Sequence, residues 1–178
     1  GASREHAMST SDHEIYLDHH ATTPVDDRVV AEMQQYFTEE YGNPASKANH
    51  AFGHTAHAEM EAAREQVAEA IGARTGGEVV AKSIIFTSGA TESDNFAIRG
   101  IADYAREEGL GSHLITSEIE HEAVLEPCKQ LEQEGFDVTR VPVDEYGQVD
   151  PADVADAIRD ETVLISIMAA NNEIGTIN

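Results

Sequence analysis

The chain has 178 residues, 40 % hydrophobic and 25 % charged, an ordinary balance for one soluble globular domain able to bury a core. Its charge is unusual, because 34 aspartates and glutamates against 11 lysines and arginines leave a formal net charge of −23. That excess disfavours nucleic acid and anionic membrane surfaces as partners, and the longest apolar run, Val163 to Ala170, is far shorter than the roughly 20 residues of a membrane span.

The acids are scattered, with only short pairs such as Glu39-Glu40 and Glu107-Glu108. They read as solvated helix faces or, more sharply, as adaptation to high salt, where ions screen self-repulsion. The scarcity of lysine (Lys47, Lys82 and Lys129 alone) fits the second reading. The single cysteine, Cys128, rules out an internal disulfide and fits a reducing, cytoplasmic setting.

In chain order, Gly1 to Ala7 reads as an expression-tag remnant ahead of a natural start at Met8, so residues 1–14 are set apart as tag and extension. Ile15 to Asp18 is a predicted short strand, followed by the turn His19 to Pro24. Asp26 is placed to cap a helix whose apolar residues Val29, Val30, Met33, Tyr36 and Phe37 recur at helical spacing and which Gly42-Asn43-Pro44 ends. A second helix is expected over 52–71, closed by Gly72, with Gly76-Gly77 marking a loop.

From there strands and helices alternate. Strands are expected at 83–87, 113–116, 137–143 and 162–168. Helices are expected at 92–108, 122–134 and from Pro151 to about Arg159. The pattern predicts an α/β fold, a mainly parallel sheet with helices on both faces. Ligands in such sheets bind at the carboxyl ends of strands, so the turns after Thr87, Thr116 and Met168 are the candidate site.

Ser83 to Asn95 is the most informative stretch, an apolar strand, a glycine turn, then hydroxyl and acidic residues opening a helix. Unsatisfied N–H groups and the positive end of a helix dipole meet there, which suits a phosphate. The turn after the next strand ends in His121, and the third holds Asn171-Asn172-Glu173-Ile174-Gly175. A planar, phosphorylated, electron-accepting cofactor would use all three.

Five blocks carry a specific resemblance that runs from Ile15 to the last residue. They are Tyr16 to Pro24 (YLDHHATTP), Gly42 to Ser46 (GNPAS), Phe86 to Asn95 (FTSGATESDN), Glu120 to Leu125 (EHEAVL) and Asn171 to Gly175 (NNEIG). In these the chain resembles the cysteine desulfurases, pyridoxal-phosphate enzymes of the class V aminotransferase group. The likeness is greatest to the nitrogen-fixation and housekeeping iron–sulfur branch. It implies the large domain of fold type I, with residues 15–178 as its N-terminal, incomplete part.

The resemblance also implies roles. Ala90 and Thr91 would hold the phosphate, and His121 would stack on the pyridine ring and help move substrate protons. Asn172 would sit near the ring's phenolic oxygen. Ala21, Thr22, Thr23 and Asn43 would line the substrate entrance. The implied reaction takes sulfur from L-cysteine, leaving L-alanine and a persulfide on an enzyme cysteine. The sulfur then passes to iron–sulfur cluster assembly, through a sulfur-acceptor or scaffold protein, or to tRNA thiolation. The family forms homodimers.

Its cofactor-anchoring lysine, pyridine-pairing aspartate, persulfide-forming cysteine and carboxylate-binding arginine are expected beyond Asn178, so this chain alone is expected to be inactive. Cys128 falls in a predicted amphipathic helix, where a buried, inert thiol is expected. Two other readings stay open, a selenocysteine lyase and a non-catalytic binding or regulatory module. No metal site is expected: His50, His54 and His57 share a helical spacing, but no carboxylate or cysteine completes a familiar motif.

Overall fold

The computed structural model describes residues 15–178, so the tag remnant and extension expected at residues 1–14 lie outside the described residues. The chain divides into two compact units, one up to Met60 and one from Glu61.

In the first unit, helix α1 spans Asp27–Thr38 and starts where the sequence places it. The Asp26 carboxylate accepts from the Arg28 N–H at 2.9 Å, satisfying an amide the helix leaves open. Asn43 accepts from the Ala45 N–H at 2.9 Å and opens a single 3₁₀ turn, Pro44–Ser46. That turn lies against the start of α2, Ala51–Ala70, so closely that a Cβ on Gly53 would stand 2.6 Å from the Ser46 carbonyl. Ile15 to Asp18, expected as a strand, is exposed and unpaired. No strand among the described residues runs beside it, and a strand without a ladder has nothing to hold it.

In the second unit, β1 (Arg74–Thr75) and β2 (Glu78–Val79) form a small antiparallel hairpin. Gly76 and Gly77 turn it at φ 60° and 90°, the positive values that a tight two-residue hairpin requires. Helix α3 (Ala90–Glu108) ends on Gly109, in the left-handed region at φ 64°. The order then runs β3 (His113–Ser117), α4 (Glu122–Gln133), β4 (Asp137–Val141), α5 (Pro151–Ala157) and β5 (Thr162–Ser166). The three longer strands form a parallel sheet in the order β4-β3-β5, with Leu114 beside Val138 and Leu164.

Central β3 is buried along its whole length, and its alternate side chains feed two cores. Leu114 packs with Ile98 and Ala102 of α3, Val124, Cys128 and Leu131 of α4, and Phe136. Ile115 packs on the other face with Val141 and Val149, against Val154 and Ala157 of α5. The chain steps from β3 out to β4 through α4, then back past β3 to β5 through α5. Right-handed crossovers in opposite directions put their helices on opposite faces.

A second expected strand is also corrected. Residues 81–83 form a 3₁₀ turn, and 84–87 lie outside the sheet. Ile85 and Phe86 are 59 % and 50 % exposed. The Arg64 guanidinium donates to the Ile84 carbonyl and lies over the Phe86 ring at 4.9 Å, so a side chain takes an acceptor that a strand would offer to a neighbour. The other strands and helices of this unit match the sequence reading within a few residues at each end. Among the described residues no helix is long and apolar enough to cross a membrane.

Candidate functional site

Helix α3 begins without a side-chain cap of its own, because its N-cap is Gly89. The turn before it is held from outside. Glu92 accepts from the Ser88 N–H at 2.6 Å, and that bond holds its carboxyl below the usual carboxylate range. The hydroxyls of Thr87 and Ser93 hydrogen-bond to each other at 2.6 Å, and the one left with a free proton donates to the Gly89 carbonyl, which lies 3.1 and 3.2 Å from the two oxygens. After these bonds the N–H groups of Ala90, Thr91 and Glu92 have no partner among the described residues. Ala90 and Thr91 are exposed, so the helix presents open donors and the positive end of its dipole to an anion.

His121 is the N-cap of α4. Its Nδ1 accepts from the Ala123 N–H at 3.0 Å, which fixes the ring and, in the neutral form, leaves the proton on Nε2. The ring is exposed. The two asparagines after β5 differ sharply. Asn171 is 8 % exposed and its side-chain oxygen holds its own turn, accepting from Glu173 N–H at 2.9 Å and Ile174 N–H at 3.1 Å. Asn172 is exposed and free of such bonds among the described residues.

Three side chains to which the sequence reading gave no role tie these turns together. Asn95 Nδ2 donates to the Thr91 carbonyl at 2.9 Å and to the Ala123 carbonyl at 3.4 Å, joining the first turns of α3 and α4. Glu120 Oε1 accepts from Ser117 Oγ at 2.9 Å and from the Met168 N–H at 2.7 Å. Asn171 Nδ2 donates to the Ile119 carbonyl at 3.2 Å. Ala90, Thr91, His121 and Asn172 therefore stand on three cross-braced turns. All three braces lie inside the blocks of family resemblance, but their partners are fixed only by sheet register.

The remaining candidates belong to the first unit. Ala21 and Thr22 lie in a turn whose N–H groups donate to the Asp18 carbonyl at 3.1 and 3.5 Å. Thr23 is exposed, and the Asn43 side chain is committed to its 3₁₀ turn. Of the three histidines, His50 Nδ1 accepts from the Gly53 N–H at 3.1 Å and His57 Nε2 lies 3.0 Å from Lys47 Nζ. Cys128 is 1 % exposed, and burial pushes its thiol pKa up, away from the reactive thiolate.

Open donors at a helix start, an exposed imidazole with Nε2 available and an exposed amide thus stand on neighbouring turns of a parallel α/β sheet. The aminotransferase class-V family model matches residues 15–178. The chain belongs to that family. It is 51 % identical over 164 residues to the cysteine desulfurase IscS of Anaeromyxobacter sp. (strain K), covering 92 % of this chain and 38 % of that protein. The cysteine desulfurase IscS of Methanosarcina thermophila is 51 % identical over 170 residues, covering 96 % and 40 %. Among solved structures, a NifS-like protein superposes with a TM-score of 0.80 at 45 % identity, covering 88 % of this chain and 40 % of that one. SspA in complex with cysteine gives a TM-score of 0.78 at 39 % identity, covering 88 % and 42 %. The chain thus spans about two fifths of the length of the relatives it matches. These relatives place the sheet within the fold-type-I class of pyridoxal-phosphate enzymes.

Proposed function

We propose that residues 15–178 are the N-terminal part of a pyridoxal-phosphate-dependent cysteine desulfurase, one that converts L-cysteine to L-alanine and passes the sulfur on as an enzyme persulfide. The observation that carries this reading is the open start of α3, tied through Asn95 to the helix that His121 caps. A generic surface helix start would have no imidazole held beside it.

The Ala90 and Thr91 N–H groups and the Thr91 hydroxyl bind the phosphate, with the α3 dipole favouring its charge. The His121 ring, its orientation set by the Ala123 bond, would stack on the cofactor ring, and its Nε2 would carry a proton toward or away from the substrate. The Asn172 amide would sit near the ring's phenolic oxygen. Pyridoxal phosphate, when bound, supplies an electron sink for the substrate's α-carbon. In the sulfur step an enzyme thiolate forms an S–S bond to the substrate sulfur. The C–S bond breaks toward carbon, and a proton there completes alanine. That thiolate is not Cys128, which is buried.

The lysine, aspartate, persulfide-forming cysteine and carboxylate-binding arginine come from the rest of the enzyme, and a second subunit completes the phosphate site. The acceptor is an iron–sulfur scaffold or a tRNA-thiolation partner in the cytoplasm. The test is product analysis of the complete protein loaded with pyridoxal phosphate and given L-cysteine. One alanine per sulfur released supports the reading, and a faster reaction with L-selenocysteine would reassign it as a selenocysteine lyase. A protein that holds the cofactor yet releases no alanine from either substrate overturns it.

A further inference from the structure

Glu120 is a buried acid, 8 % exposed, and nothing assigned to the reaction explains why it is there. Burying a carboxyl group is costly unless its bonds are made, and an apolar residue would fill the same space more cheaply. Its two bonds are specific. Oε1 accepts from Ser117 Oγ at the carboxyl end of β3 and from the Met168 N–H just beyond β5. One residue earlier, the Ile119 carbonyl accepts from Asn171 Nδ2 at 3.2 Å. The turn leading into His121 is thus pinned at two successive residues to the segment leading into Asn172.

We infer that Glu120 is a positioning residue of the proposed desulfurase site, clamping the Ser117–His121 turn to the Met168–Asn172 segment so that the imidazole and the Asn172 amide keep one mutual geometry. The inference rests on the functional reading above. Both bonds of Glu120 go to the protein itself. It acts through the peptide that joins it directly to His121, and a shift of about 1 Å in such a group costs on the order of a hundredfold in rate. A glutamine keeps Oε1 as an acceptor for both donors, whereas alanine removes both bonds.

The experiment compares the complete protein with its Glu120→Ala, Glu120→Gln and Glu120→Asp variants, with Leu131→Ala as a destabilised control far from the clamp. In the cofactor-free form, nitrogen NMR of labelled histidine reads the His121 tautomer. With pyridoxal phosphate added, induced circular dichroism reads affinity and geometry.

Glu120→Ala should lose the fixed Nε2-protonated signature, weaken cofactor binding about tenfold or more and change the dichroism band, and Glu120→Gln should restore all three. Leu131→Ala should lower the melting temperature and leave the His121 signature intact. If Glu120→Ala does not fold, Glu120→Asp, too short to reach both donors, should show the same losses in weaker form. The inference is overturned if the alanine or aspartate variant melts earlier but keeps the wild-type His121 signature, or if glutamine behaves like alanine. A tautomer effect without any cofactor binding would keep the clamp and refute the cofactor assignment instead.

Discussion

The Asn95 amide of α3 donates to the Ala123 carbonyl of α4 at 3.4 Å while also donating to Thr91 at 2.9 Å. One side chain therefore fixes the open start of one helix against the histidine-capped start of the next. Replacing Asn95 with alanine should cost about 1 kcal/mol of stability, the worth of an ordinary hydrogen bond. It should also weaken pyridoxal-phosphate binding severalfold, because the two starts are no longer held together. Denaturant unfolding and cofactor titration of the same variant check this; unchanged cofactor affinity would show that the link is structural only.

His113 gives a pH prediction. Its ring lies at the amino end of the sheet, 1 % exposed, with Nδ1 2.7 Å from Thr162 Oγ1 and Nε2 2.8 Å from Thr139 Oγ1, so it spans all three strands. Burial, helped by the nearby Arg159 charge, pushes its pKa below the ordinary 6.5, against the opposing pull of Asp137 and Glu161. The folded protein then binds the proton less readily than the unfolded chain. Stability is fully present above about pH 6.5 and falls as pH drops below it toward the folded pKa, by at most about 1.4 kcal/mol per pH unit for one proton. Denaturation over a pH series should show this slope in wild type and a flatter one in His113→Gln.

Much of this architecture is legible in the sequence, for local reasons. Gly109 and Gly135 mark where α3 and α4 stop, Asp26 and Pro151 mark where helices start, and the apolar runs at β3 and β5 are strands, β3 buried throughout and β5 only in part. Ile84 to Thr87 carries the same kind of apolar run and is not in the sheet, since pairing depends on a neighbour and not on composition. The braces Asn95, Glu120 and Asn171 were illegible as braces, because their partners lie 28, 48 and 52 residues away. The family blocks mark His121 and Asn172, while the polar residues beside them hold the frame.

Cys128 should resist thiol reagents in the native state. It sits between Leu114, Val124 and Leu131 with a thiol held protonated by burial. Peptide mapping after alkylation should find it unmodified in native protein and fully modified in denaturant. Rapid native labelling would contradict the packing.

The acid excess predicts a salt response. The bases are largely committed to acids already, as in Arg99–Glu134 at 2.8 Å and Arg140–Glu132 at 2.8 Å, and the net −23 is the acid excess that no base opposes. Raising potassium chloride from about 0.1 M to about 1 M shortens the screening length from about 10 Å to about 3 Å. Relief of self-repulsion should outweigh the loss from weakened surface ion pairs, and the melting temperature should rise. A flat or falling melting temperature would favour plain solvated helix faces over adaptation to salt.

The central claim is that the start of α3 and the His121 ring hold pyridoxal phosphate together. Spectroscopic titration of the complete protein with that cofactor, in wild type, Thr91→Val and His121→Ala, tests it most directly. The account predicts saturable binding in wild type, with affinity lower by about tenfold or more in Thr91→Val, the worth of a hydrogen bond to a charged group. It predicts an altered cofactor spectrum in His121→Ala. Wild-type affinity and an unchanged spectrum in both variants would contradict it.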